Sequence, residues 1–149
     1  MLKQHIGAPC VPTVKVGDEV KRGQCVAEPS GLGAKIFTSV SGKVETVNDT
    51  EIVVLADDVQ NKDYVKIKEC DSILDTIYEA GIVGAGGAGF PTHIKLKADI
   101  PDGYIIANCV ECEPALHHNI KLLGEDPGIV IRGIEYAMKV TNAPKEYIG

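Results

Sequence analysis

A two-part α+β chain is predicted: a small all-β unit over residues 1–68, then an incomplete α/β unit over 71–149. Three observations predict it. Up to residue 68, short runs rich in Val, Ile and Thr are split by Gly, Asn and Asp, with no helical period. From residue 71 the spacing of apolar residues changes to that of amphipathic helices. The 149 residues are enough for one medium domain or two small ones.

In the first part, "TVKVG" alternates Val14 and Val16, and Gly17-Asp18 turns the chain. "EVKRGQCVAEP" repeats the pattern with Gly23 as punctuation. "KIFTSV" leads to a hairpin turn at Ser41-Gly42, "KVETV" follows, Asn48-Asp49 turns again, and "EIVVLAD" closes the series. Such a unit is expected to be closed or sandwiched, because open strand edges invite unwanted pairing.

In the second part, "DSILDTIYEAG" puts Ile73, Leu74, Ile77 and Tyr78 on one helical face, with Asp71 or Ser72 as cap and Gly81 as the stop. A glycine-rich loop follows, then a short helix near 91–97. "GYIIANC" (103–109) reads as a buried strand. "HHNIKLLGEDP" reads as a short helix ended by Gly124 and Pro127. "PGIVIRGIEYAMKV" is a helix with Ile131, Ile134, Ala137 and Met138 on one face, ended at Asn142-Ala-Pro144, and "EYIG" opens a strand. Two strands and a few helices seldom bury a stable core, so this part is expected to be a truncated piece, or a domain completed by another chain.

Composition narrows the function classes. With 44% hydrophobic and 24% charged residues the chain is ordinary globular protein. Its net charge of −6 argues against nucleic acid as the main partner. No apolar run approaches the roughly 20 residues of a membrane helix, and "MLKQHIGAP" has no apolar signal core, so a cytoplasmic protein without direct membrane insertion is expected. Five cysteines, an odd number with one close pair, argue against a disulfide framework. Cys10, Cys25 and Cys70 are expected to fill space as small apolar side chains.

The stretch "GIVGAGGAGF" (81–90) matches G-x-G-x-x-G through Gly84, Gly86 and Gly89. A dinucleotide-binding turn of that pattern needs a strand before it and a long helix after it. Here only Ile82 and Val83 separate the preceding helix's stop from Gly84, and Pro91 follows closely. The pattern therefore predicts a different structure: backbone N–H groups forming an anion nest, aided by the positive end of the following helix and by Lys95. A plain glycine-rich surface loop is the alternative.

Two motifs carry a resemblance. "GAGGAGFPTHIKL" (84–96) followed by "NCVECEPALHHN" (108–119) resembles the flavin-bearing NADH-oxidising subunits, those of respiratory complex I and, more closely, the RnfC proteins of the Rnf complex. "GAPCVPTVKVGDEVKRGQ" is similar to the N-terminal extension of RnfC proteins, so the resemblance spans nearly the whole chain. Within that family "CVECEPALHH" is similar to the RnfC-like electron-transfer proteins associated with D-proline reductase. The first part also resembles the biotinyl/lipoyl-like barrel-sandwich family through "VKVGDEVKRGQCVAE" (14–28) and "TSVSGKVETV" (38–47). Lys43 lacks the usual flanking Met or Asp-Ala, so a docking module rather than a modified swinging arm is expected.

The resemblance implies non-covalent FMN, reduced by NADH, passing electrons to iron–sulfur clusters or to a partner redox protein. It also implies partner proteins from a membrane electron-transport complex at the membrane's inner face. It places Gly84, Gly86 and Gly87 against the flavin and its phosphate side, Lys95 on FMN charge and Phe90 near the nicotinamide. Asn108 and Glu111 would contact the flavin, and Glu113 would lie near the dinucleotide. Two positions depart from the complex I pattern: Ala85 stands for an Arg and Val110 for an acidic residue. Cysteine-rich cluster motifs are absent from this stretch, so iron–sulfur clusters are expected only further along the family's chain. The resemblance places later segments of the flavin site beyond residue 149, so this chain alone is expected to bind FMN weakly or not at all and to lack enzyme activity. Other readings stay open. The chain can be a non-catalytic docking or scaffold module. Cys109 and Cys112 can form a redox dithiol, a zinc site with His117 and His118, or ordinary buried cysteines.

Overall fold

A computed structural model describes residues 1–84, 88–111 and 113–149. The chain divides into two compact units, Met1–Lys95 and Leu96–Gly149.

The first unit holds β1 (Val11–Pro12), β2 (Glu19–Val20), β3 (Cys25–Glu28), β4 (Ile36–Phe37), β5 (Gly42–Val47) and β6 (Ile52–Ala56), then α1 (Ile73–Glu79) and α2 (Thr92–Lys95). The strands make two three-stranded antiparallel sheets, ordered β1-β3-β4 and β2-β5-β6. No closed barrel forms among the described residues; the strands are instead sandwiched. Val20, Val26 and Val44 are buried in one cluster, and Leu2, Cys10 and Ala27 in a second; Ile36 and Ile52 pack against both. Strand β5 shows the two-residue period, with Gly42 and Val44 buried and Lys43 and Glu45 exposed.

Two expectations fail here. "TVKVG" is not a strand: β1 ends at Pro12, Val14 is half-buried and Val16 is exposed. Asp18 explains this, because its carboxylate accepts Lys15 N–H at 3.0 Å and curls the segment into a turn. Ser41-Gly42 is not a hairpin tip either, since β4 and β5 lie in different sheets and Gly42 already pairs with Val20 and Ala56. Lys43 is thus an in-strand lysine. The turn at Asn48 is as expected, with its Oδ1 accepting the N–H groups of Thr50 and Glu51, both at 2.9 Å.

Ser72, not Asp71, caps α1, its hydroxyl accepting Asp75 N–H at 3.4 Å. Gly81 ends the turn after it with φ +64°. Val83 makes only an isolated bridge to Pro91, so no strand leads into Gly84.

The second unit holds β7 (Ile105–Ala107), α3 (His118–Glu125), α4 (Pro127–Thr141) and β8 (Glu146–Ile148). β7 and β8 pair in parallel, and the helices between them form the crossover that parallel pairing needs. β7 is one-sided rather than fully buried: Ile105 and Ala107 are half-buried while Ile106 is 62% exposed. Gly124 lies inside α3 and does not stop it; Asp126 separates the two helices and caps α4, its Oδ1 accepting Ile129 N–H at 3.2 Å. Of the expected α4 face, Ile134 is buried and Ala137 and Met138 are half-buried, but Ile131 is exposed. Asn142 ends α4 in the left-handed conformation.

Candidate functional site

Each unit contributes one segment of interest. In the first unit the glycine loop leaves α1 and returns to α2 through a narrow neck. Val83 bridges Pro91, Gly84 N–H donates to Phe90 O at 2.9 Å, and Thr92 N–H donates to Ile82 O at 3.0 Å. Gly86 and Gly87 lie outside the described residues.

The entrance to the loop is fixed on β4. A Cβ on Gly81 would sit 2.6 Å from Lys35 O and 2.7 Å from a Phe37 ring carbon, so only glycine fits. Beside it, Lys35 Nζ lies 2.9 Å from Glu79 Oε2 and 3.1 Å from Glu28 Oε1, and 5.3 Å above the Tyr78 ring. Burial opposes the ammonium charge, but the hydrogen bonds and attraction of Glu79 and Glu28 outweigh it and hold Lys35 above the usual lysine range. Tyr78 also meets His93 of α2 edge-on at 4.8 Å.

The exit is fixed on the N-terminal segment. Ile6 N–H donates to Ala88 O at 3.1 Å, and a Cβ on Gly89 would meet Gln4 O and His5 Cα, both at 3.0 Å. Gly84 differs from both, since among the described residues the nearest neighbour of a Cβ there would be Phe90 O at 3.8 Å. Phe90 and Lys95 are exposed. Helix α2 is a single turn ending at Lys95, so it supplies no useful dipole for an anion, against the sequence expectation. What this segment offers a ligand is an open glycine, an exposed aromatic ring and an exposed cation.

In the second unit the segment 108–113 follows β7. Asn108 is exposed, and its Oδ1 accepts Val110 N–H at 3.1 Å; its amide donors have no partner among the described residues. Glu111 has a role that its sequence position did not reveal. Its Oε1 accepts the N–H groups of Asn119 at 2.6 Å and Ile120 at 3.2 Å, so it caps α3 from outside the helix. His117, the residue at the cap position, makes no side-chain cap. Glu111 Oε2 lies 3.3 Å from His118 Nδ1, outside hydrogen-bonding geometry. The only signal for this cap was the absence of Ser, Thr, Asp or Asn just before α3. Glu113 is exposed. Cys109 is a free, half-buried thiol, its N–H bound to Gly149 O at 2.7 Å, and Cys112 lies outside the described residues. Cys10, Cys25 and Cys70 are free; Cys10 is buried and the other two half-buried, and burial raises the thiols of Cys10 and Cys25. Among the described residues, no cluster of His, Cys, Asp and Glu forms a metal site, and no helix is long and apolar enough to cross a membrane.

Comparison with known proteins follows the same two segments. Residues 1–69 match the RnfC barrel sandwich hybrid domain, and residues 77–149 match the Nuo51 FMN-binding domain. The chain belongs to the RnfC family. It is 37% identical to the RnfC-type protein of the proton-translocating ferredoxin:NAD(+) oxidoreductase complex of Clostridium ljungdahlii, with 99% of the chain aligned to 36% of that protein. It is 39% identical to the RnfC-type protein of the Na(+)-translocating ferredoxin:NAD(+) oxidoreductase complex of Acetobacterium woodii, with 97% aligned to 37% of that protein. About half of the chain is 42% identical to cobalamin reductase PduS of Salmonella typhimurium, over 16% of that protein. The chain thus spans little more than a third of these two RnfC relatives. The domain order of this RnfC family member, barrel sandwich hybrid then FMN-binding domain, agrees with the two-part α+β reading of the sequence.

Proposed function

We propose that this chain supplies part of a flavin site in an electron-transfer oxidoreductase, taking electrons from NADH through non-covalent FMN. The observation that carries the reading is the glycine loop: fixed at both ends, open at Gly84, and flanked by exposed Phe90 and Lys95. Bound FMN would supply hydride acceptance and single-electron release. The chain's residues would supply position and charge. Gly84, whose own N–H is bound to Phe90 O, would leave room for the flavin, the N–H groups of Gly86 and Gly87 would orient the phosphate side, and Lys95 would neutralise it as a point charge. Phe90 offers a ring face to the nicotinamide. Among the described residues, Asn108 has its amide donors free for the flavin and Glu113 its carboxylate free for the dinucleotide. Glu111 acts on the flavin side by fixing the segment between Asn108 and α3 rather than by offering a free carboxylate. Electrons then pass to iron–sulfur centres or a partner redox protein, in a complex peripheral to a membrane. The division into a barrel-sandwich unit over 1–68 and a flavin-binding unit over 71–149 is part of this reading, with the β unit not lipoylated or biotinylated.

Titration of the chain with FMN, followed by amide NMR, tests the reading. Weak saturable binding is expected, with shifts at Gly84, Phe90 and Lys95 and none along β5 and β6. Saturable shifts confined to the β sheets would overturn it and favour the docking module.

A further inference from the structure

The N-terminal segment does more than complete the β sandwich. Leu2 is buried beside Cys10, and its backbone closes on both sides: Leu2 N–H donates to Thr50 O at 2.7 Å and Cys10 N–H donates to Leu2 O at 2.9 Å. Between them the chain forms a hook, and buried His5 is its anchor.

His5 is held at both ring nitrogens. Nε2 lies 3.2 Å from Ala34 N and 3.1 Å from Ala34 O, and Nδ1 lies 3.0 Å from Ile6 O. Cys10 Sγ lies 3.3 Å from Nε2 and from Ala34 O. On the ring's other flank, a Cβ on Gly33 would come within 2.5 Å of His5 Cε1, so the loop before β4 is shaped around the imidazole. The ring thus faces Ala34 and Cys10, while the backbone of the same hook, Gln4 to Ile6, meets the exit of the glycine loop at Ala88 and Gly89.

We propose that His5 is a positioning residue for the glycine loop: by fixing the hook, it sets the backbone on which Ala88 and Gly89 rest. This rests on the flavin reading for its purpose but not for its geometry. It gives the N-terminal β unit a direct part in the loop's conformation, beyond any docking role.

Amide hydrogen exchange on the whole chain, combined with FMN titration, tests it. His5→Ala keeps the backbone and Cβ that a side chain on Gly89 would meet and removes only the anchoring ring. Exchange at Ile6 and Gly84 should accelerate roughly tenfold or more, as for loss of one or two hydrogen bonds. Exchange at Val44, whose N–H donates to Asp18 O, should stay unchanged. FMN affinity should fall roughly three- to tenfold. His5→Gln, whose amide oxygen can accept Ala34 N–H, should restore most of the protection. Unchanged exchange at Gly84 in folded His5→Ala would overturn the proposal. If that variant does not fold, Gly89→Ala and Gly17→Ala decide. Both glycines have positive φ, but a Cβ on Gly17 meets nothing within 4 Å. Faster exchange at Ile6 and Gly84 in Gly89→Ala alone supports the proposal; equal behaviour of the two contradicts it. If FMN shifts only the β sheets while the loop exchange still depends on His5, the positioning role stands and the flavin reading alone fails.

Discussion

The glycine loop and the segment 108–113 are the two parts of one family signature, yet they are held in opposite ways. The loop is held from a distance. Its entrance rests on Lys35 and Phe37, and its exit on Gln4 to Ile6. Segment 108–113 is held largely by its own side chains, by Val110 N–H on Asn108 and by the first N–H groups of α3 on Glu111, with Cys109 N–H on Gly149 O as its distant tie. A loop fixed from afar needs none of its own side chains for its ends, and Gly84 is left exposed. A segment fixed by its own side chains uses them up. Glu111 illustrates this, since the carboxylate that the family pattern aims at the flavin is engaged by a helix.

Substitutions at four positions would break or sharpen this contrast. The largest effect is expected for Gly81→Ala. It forces a left-handed conformation on a residue with a Cβ and presses that Cβ onto β4. The expected cost is about 2–4 kcal/mol, read as a lower urea midpoint at unchanged slope. Next comes Lys35→Ala. It removes a cation whose side chain is only 12% exposed and which joins Glu79 and Glu28. Two charge-assisted hydrogen bonds are lost, partly screened on the Glu28 side, for about 1.5–3 kcal/mol. Thermal melts of the chain with and without added salt would show it, with the loss smaller at high salt.

Glu111→Ala should cost about 1–2 kcal/mol by removing the cap of α3. Glu111→Gln should cost about half as much or less, because the amide oxygen still accepts both N–H groups. Helical circular dichroism and melting of the pair would check the order. If Gln is as damaging as Ala, charge rather than hydrogen bonding matters, and Glu111 becomes a direct ligand contact again. The smallest effect on stability is expected for Lys95→Ala, within about 0.5 kcal/mol, because Lys95 is exposed at the end of a one-turn helix.

The same contrast decides what the sequence could reveal. Features set by neighbouring residues were legible: the turn at Asn48, the stop at Gly81, Asn142 ending α4, and the absence of a strand before Gly84. Features set by distant residues were not. Nothing near Gly89 announces that His5 lies against it. Nothing in "VECEP" announces that Glu111 caps a helix seven residues later. Gly124 looked like a helix stop because glycine so often is one, but the end of α3 is set by Asp126 and Pro127, which start the next helix. "TVKVG" looked like a strand because its valines alternate, but the Asp18 carboxylate curls it first. The roles of Gly84, Phe90, Lys95, Asn108 and Glu113 came from the family's motifs, and the geometry adds that Gly84 is open and that the other four side chains are exposed.

Comparing Lys95→Ala with Lys97→Ala tests most directly whether the glycine loop and Lys95 bind the phosphate side of FMN. Both lysines are exposed, but Lys95 ends α2 and Lys97 lies beyond it. FMN affinity would be measured by amide NMR titration, with circular dichroism confirming the fold. A charge-assisted contact is worth about 1.5–3 kcal/mol, so Lys95→Ala should weaken FMN binding roughly ten- to a hundredfold, while Lys97→Ala should change it less than about twofold. Equal affinity in Lys95→Ala, Lys97→Ala and the unaltered chain would make Lys95 an ordinary surface lysine and contradict the account.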